Sequence, residues 1–232
     1  MIAGMAAAER FSRDRFLHGY ARGKIAWDPA YPAMANHMRG SSRPLLDIGC
    51  GVGLLAAYLR ECGCSQAILG IEPDVAKVAL ARECVAASYP EIEFRRGTAE
   101  NLPAFSGDVV MLDVLHYMAP DVQRRILESL AETLGPGDRA FIRTTFRDGS
   151  LRYFATMVEE AIVRTSGWIR GGRCIFPTRD EVCRPFEERG CETRVVPMWG
   201  RTPFNSHLVE VSRGPALFNR AEDQSANSSQ RA

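Results

Sequence analysis

The sequence predicts an α/β fold in which an open, mostly parallel sheet carries helices on both faces. Short apolar runs alternate with amphipathic segments from residue 44 to residue 145, the rhythm of strands joined by helical crossovers. Three glycines, Gly49, Gly51 and Gly53, stand directly behind the first apolar run, where such a sheet makes a tight strand-to-helix turn. The last two apolar runs have no helix between them, so they pair as an antiparallel hairpin at the sheet edge.

Each element follows from local pattern. PLLDIG (44–49) reads as a short buried strand, and LLAAYLREC (54–62) as a helix with one apolar face, stopped by Gly63. QAILGIE (66–72) is a second strand, after which Pro73 and Asp74 open the helix VAKVALARECVAASY (75–89). The Asp74 carboxylate suits the free amide hydrogens of that first turn. IEFRRG (92–97) and DVVMLDV (108–114) are the third and fourth strands. DVQRRILESLAETL (121–134) sets Ile126, Leu127, Leu130 and Leu134 at helical spacing, GPG (135–137) ends it, and RAFIRTT (139–145) is a fifth strand. LRYFATMVEEAIVRT (151–165) is an amphipathic helix, 166–177 a loop, and Thr178 with Glu181 forms a capping box for another helix. CETRVVPMW (191–199) and SHLVEVS (206–212) form the closing hairpin.

This order divides the chain into a helical segment over 1–40, one domain over 41–212 with an insertion at 146–177, and a polar tail over 213–232 expected to be disordered. RFSRDRFLHGYARGK (10–24) reads as a helix with one solvated face.

Composition narrows the classes. Balanced charge, 29 basic against 28 acidic residues, leaves no global field to hold a nucleic acid or an anionic membrane. Seven cysteines follow no zinc-ligand spacing, so no metal site is expected and a reduced, cytoplasmic setting is the natural reading. MIAGMAAAERF is too short and too soon charged for a signal peptide, and no apolar stretch is long enough for a membrane span.

The glycine turn discriminates between ligands. Glycine lets a ligand approach backbone without meeting a Cβ, and the helix that follows offers unpaired amide hydrogens. The spacing is G-x-G-x-G, with Leu54 where a dinucleotide fingerprint places its third glycine, and the G-K-[ST] of a phosphate-binding P-loop is absent. Asp47, just before the turn, suits a ligand ammonium or an ordered water better than a pyrophosphate.

Asp47-Ile-Gly-Cys-Gly-Val-Gly53 after a buried strand resembles the first motif of class I S-adenosylmethionine-dependent methyltransferases, a Rossmann-like family, and the likeness extends over roughly 40–212. The resemblance implies S-adenosylmethionine as cofactor, leaving as S-adenosylhomocysteine, with Gly49, Cys50, Gly51 and Gly53 lying against it. Glu72, followed by Pro73, stands 25 positions after Asp47, where such enzymes place the acid that takes both ribose hydroxyls. GTAENLP (97–103) resembles the adenine cradle, with the backbone of Ala99 toward the ring. Thr98 stands where the family often has Asp, and Glu100 is either its substitute or a helix-capping acid.

LDVLHYM (112–118) resembles the motif beside the transferable methyl, so Asp113, Val114 and Leu115 are expected to line the cofactor and His116 and Tyr117 to face the acceptor as catalytic residues. YARGKIAWDPAY (20–31) resembles the segment that closes over the cofactor, with Tyr20 at the sulfonium and Lys24 near the methionine carboxylate.

The implied reaction is methyl transfer to the oxygen or carbon of a small metabolite, in which His116 is a candidate base or shapes the pocket. Phe146, Arg147, Tyr153, Phe154 and Trp168 would suit an aryl or carboxylated acceptor, or else pack the insertion on the sheet. Two other classes stay open at this point: an inactive cofactor-binding regulatory or scaffold subunit, and a nicotinamide oxidoreductase.

Overall fold

The computed structural model describes residues 2–165, 174–200 and 202–214. Three helices lead: α1 (Ile2–Glu9), α2 (Arg15–Trp27) and α3 (Ala30–Met38). The α/β repeat follows as β1 (Leu45–Ile48), α4 (Leu54–Glu61), β2 (Ile68–Glu72), α5 (Val75–Cys84), β3 (Ile92–Arg96), β4 (Asp108–Leu112), α6 (Pro120–Thr133) and β5 (Arg139–Thr145). It closes with α7 (Leu151–Thr165), α8 (Arg179–Glu187), β6 (Glu192–Pro197) and β7 (Ser206–Ser212).

The seven strands run in the order β3-β2-β1-β4-β5-β7-β6. The first five are parallel, whereas β7 lies antiparallel to both β5 and β6. The expected edge hairpin is therefore present, with its second strand inside and its first at the edge. Strand order reverses between β1 and β4, which makes the carboxyl ends of those strands the natural ligand crevice of an open α/β sheet.

Alternation along the strands splits the core in two. Leu45, Val110, Phe141 and Leu208 face a cluster built with Leu17, Met34, Leu55 and Val78 of the N-terminal helices, α4 and α5. Leu46, Val109, Ile142 and Val209 face the opposite cluster, built with Ile126, Leu130, Val182 and Phe186 of α6 and α8. Such two-sided burial explains why the central strands read as unbroken apolar runs.

Local chemistry sets most boundaries as expected. Asp74 caps α5 by accepting from the amides of Ala76 and Lys77 at 2.8 and 3.3 Å. Thr178 and Glu181 form the capping box of α8. Three expectations need correction. No single helix spans 10–24: Asp14 accepts from the amides of Phe16 and Leu17 and so starts α2 afresh, after a turn separates it from α1. The helix expected over 75–89 ends at Cys84, because fully buried Val85 leaves helical geometry and the chain tightens into a 3₁₀ turn at Ala86–Ser88. The fourth strand stops at Leu112, since Asp113 takes φ 58° and turns the chain into a 3₁₀ turn over Leu115–Tyr117. Residues 166–173, Arg201 and the tail from 215 onward lie outside the described residues.

Candidate active site

A cavity of 1210 Å³ opens at the carboxyl ends of the parallel strands. One end is built by the β1 turn and the end of β2, with Asp47, Gly49, Cys50, Gly51, Glu72 and Pro73 in its wall. The other reaches Thr145 at the end of β5 and Ser206 at the start of β7, residues that face each other in the antiparallel register. Between them stand Asp113, Val114, His116 and Tyr117 after β4. Tyr20, Lys24, Trp27, Asp28 and Tyr31 of the N-terminal segment complete the wall.

The glycine turn is shaped by close approach. Gly49, at φ 75°, passes so near Val114 that a Cβ would lie 2.2 Å from its Cγ2. Gly51, at φ 56°, has nothing within 4 Å of the Cβ position, so its missing side chain leaves open cavity. Glu72 braces this turn: its carboxylate accepts from the Gly51 amide at 3.0 Å and from the Asp74 amide at 3.1 Å.

Asp47 is 3% exposed, and its Oδ2 has no hydrogen-bond partner among the described residues. Burial, reinforced by the neighbouring Glu72 charge, raises its carboxyl to about 7. An unpaired buried carboxylate on a cavity wall is costly to a protein by itself and fits a cationic ligand group. Cys50 beside it is pushed up strongly by burial and by the two carboxylates, which makes it an inert thiol rather than a nucleophile.

A second charged group crosses the cavity. Arg143, on β5 and buried, holds both Asp28 and Asp113; its Nε donates to Asp113 Oδ1 at 2.9 Å. Lys24 Nζ lies 3.0 Å from Asp28 and 3.7 Å from Asp113. Burial works against charge on Asp28, yet Arg143 and Lys24 outweigh it and hold that carboxyl well below the usual range. The same balance, burial opposed by Arg143 and then Lys24, lowers Asp113. The left-handed backbone of Asp113, worth about 1–3 kcal/mol of strain, is held by this fork and by its own amide on the Arg143 carbonyl at 3.0 Å.

His116 is buried, with its ring 4.2 Å from the Tyr117 ring and 5.1 Å from Phe176. Its carbonyl takes the Ile175 amide at 2.8 Å, tying the 3₁₀ turn to the segment before α8.

Five residues expected at the cofactor lie outside the cavity wall. Gly53 caps α4 and serves packing, since a Cβ there would meet the Phe94 ring at 2.6 Å. Leu115 and Ala99 are buried in the core on the α6 face, and Thr98 and Glu100 are exposed at the turn after β3. The insertion residues left open between acceptor walls and packing stand away from the cavity where they are described. Phe146 is buried, stacked on His207 at 4.8 Å. Arg147 pairs with Glu181 at 3.5 Å. Tyr153 packs on Phe176 at 5.8 Å, and Phe154 is exposed. None of the four lines the cavity, and Trp168 lies outside the described residues.

Sequence reasoning missed Arg143 and Met198, and took Asp28 and Tyr31 only as part of the 20–31 segment and Phe204 only as part of the 199–205 loop expected to shape the acceptor pocket; all five line the cavity. Arg143 carried a signal of its own, a charge directly behind the apolar run Ala140–Ile142.

Residues 45–137 match the family model described as a methyltransferase domain. The matched stretch is similar to a methyltransferase domain. That match covers the glycine turn, Glu72 and the turn after β4, all of which line the cavity. The chain is 31% identical over 141 residues to a ubiquinone biosynthesis O-methyltransferase of Rhizobium etli, covering 57% of this chain and 54% of the relative. It is 28% identical over 141 residues to a ribosomal protein L11 methyltransferase of Burkholderia ambifaria, covering 59% and 43%. The chain thus spans about half the length of these curated relatives. Among solved structures, the fold is similar to magnesium protoporphyrin IX methyltransferase from Synechocystis with bound SAH, at TM-score 0.63 and 16% identity, covering 88% of this chain and 93% of that one. It is also similar to human N-acetylserotonin methyltransferase in complex with SAM, at TM-score 0.60 and 15% identity, covering 88% and 58%. No helix among the described residues is long and apolar enough to cross a membrane, and no group of three or more potential metal ligands occurs among them.

Proposed function

We propose that this protein transfers the methyl group of S-adenosylmethionine to an oxygen or carbon of a small-molecule acceptor. The observation that carries the reading is a single 1210 Å³ cavity spanning the switch point. It exceeds the roughly 300–1,000 Å³ of a site for one small ligand, which leaves room for cofactor and acceptor side by side.

The cofactor end fits its ligand group by group. The unpartnered Asp47 Oδ2 suits an ammonium, and Gly51 leaves its wall open for close approach. The Glu72 oxygens, each engaged by one backbone amide, keep acceptor capacity for a vicinal diol. When bound, the cofactor supplies an electrophilic methyl on a sulfonium.

The chain's own task is alignment and proton removal. Asp113, held by Arg143, fixes the turn that brings His116 and Tyr117 to the cavity wall. His116 takes the proton from an acceptor hydroxyl as that oxygen gains the methyl. The small-molecule relatives support this acceptor class. The test is labelled methyl transfer into a cell extract separated into metabolites, protein and nucleic acid: label in the metabolite fraction is expected, and label only in protein or nucleic acid overturns the acceptor class. His116→Ala should spare S-adenosylhomocysteine binding and lower turnover by about 10²–10⁴-fold, whereas unchanged turnover removes His116 as base.

A further inference from the structure

Among the described residues, eight charged groups face the cavity. Lys24, Asp28, Asp113 and Arg143 form a closed quartet in which each cation touches both carboxylates. Around the cofactor end, Asp47, Glu72 and Asp74 outnumber Lys77. Neither buried Arg143 nor Lys24 is therefore left with uncompensated charge to offer a second ligand. The rest of the wall toward β7 is apolar or hydroxylic, from Trp27, Tyr31, Met198 and Phe204 with Thr145 and Ser206.

An anionic acceptor entering this space loses its hydration shell and finds no unshared buried cation in exchange among the described residues, a desolvation cost that only pairing would offset. An uncharged ring with a hydroxyl faces no such cost, and flat aromatic walls suit it.

We propose that the acceptor half of the cavity selects uncharged hydroxylated aromatic molecules, and that Asp28 sets this selectivity by neutralising Arg143 and Lys24. The proposal rests on the cavity's reading as a joint cofactor and acceptor site. Asp28 is the informative position because its Oδ1 also accepts from the Ala30 amide at 2.9 Å, opening α3. Asparagine keeps an acceptor oxygen for that bond and removes only the charge.

The probes are methylcatechol and protocatechuate, which present the same dihydroxylated ring without and with a carboxylate. Their dissociation constants are measured by equilibrium dialysis at pH 8, with and without S-adenosylhomocysteine. Wild-type protein should bind methylcatechol at least about tenfold more tightly. Asp28→Asn should shrink that ratio by about tenfold, and Asp28→Glu, which retains the charge, should restore it. Lys24→Met, which removes a cation from a half-exposed position, should widen the ratio and serves if Asp28→Asn does not fold. A wild-type ratio of one or less, no binding of either probe, or a ratio unmoved in a folded Asp28→Asn protein overturns the proposal. Failure of the methyltransferase reading would show separately, as absent label transfer whatever the probe ratio.

Discussion

At Asp47 the protein buries a carboxylate and leaves one oxygen without a partner, so the group holds its proton up to about pH 7 instead of the roughly 3.9 of an unfolded chain. The folded state then binds more protons between those values, and this group's contribution to stability falls as pH rises from about 4 to about 7. Asp47→Asn removes that cost. In the ligand-free protein at pH 8 it should stabilise by up to about 3–4 kcal/mol, an advantage that vanishes near pH 4 and is read from urea unfolding across pH. The same variant should lose S-adenosylhomocysteine binding. An acid just before a glycine turn was legible as a ligand group in the sequence, but its orphaned oxygen was not, because that depends on what every neighbouring chain segment fails to supply. Arg143 shows the reverse: its charge stands out in RAFIRTT, while its partners, Asp28 and Asp113, lie 115 and 30 residues away.

At the scale of elements, the turn between β1 and α4 uses its glycines for different ends, and the difference can be measured. Gly49→Ala would drive a Cβ into Val114 at a backbone angle alanine resists, so it should destabilise the fold by roughly 1–3 kcal/mol. Gly51→Ala meets no protein atom and should cost only the left-handed strain, about 1–2 kcal/mol, yet weaken S-adenosylhomocysteine binding at least about tenfold by filling the cavity wall. Urea unfolding and calorimetry together separate the two. The Asp74 cap and the Thr178–Glu181 box were readable locally because each rests on contacts within a few residues, and the strands because burial on both faces writes them as short apolar runs. The break at Asp14, the early end of α5 and the left-handed Asp113 were not, since Asp14 reads equally well as a helix-surface acid and Val85 and Asp113 are set by packing and by Arg143.

Over the whole molecule, the cavity joins β1, β2, β4 and β5, a reversed β7 and the N-terminal helices, so ligand binding should stabilise the fold as a unit. S-adenosylhomocysteine at about 100 times its dissociation constant adds about 2.7 kcal/mol, which for a chain of this size raises Tm by roughly 5–10 °C. On the proposed placement of that ligand's ammonium against Asp47, the ammonium favours the ionised carboxylate, so binding should release a proton below about pH 7. The thermal shift at fixed ligand should therefore be smaller at pH 5.5 than at pH 8, and an equal shift at both would detach Asp47 from the ammonium.

By itself the sequence determined the α/β order, the edge hairpin, the glycine turn and the carboxylates Asp47 and Glu72, because strand period, turn chemistry and helix caps are written in neighbouring residues. It also located His116 at the end of the fourth strand. Only the tertiary structure decided what the cavity offers an acceptor. It moved Phe146 into the core and Thr98, Ala99 and Glu100 out of the wall, and it closed Lys24, Asp28, Asp113 and Arg143 into one neutral group. Those four charges come from the N-terminal segment, the turn after β4 and β5, and whether a charge is available to a ligand depends on which opposite charge the fold brings beside it.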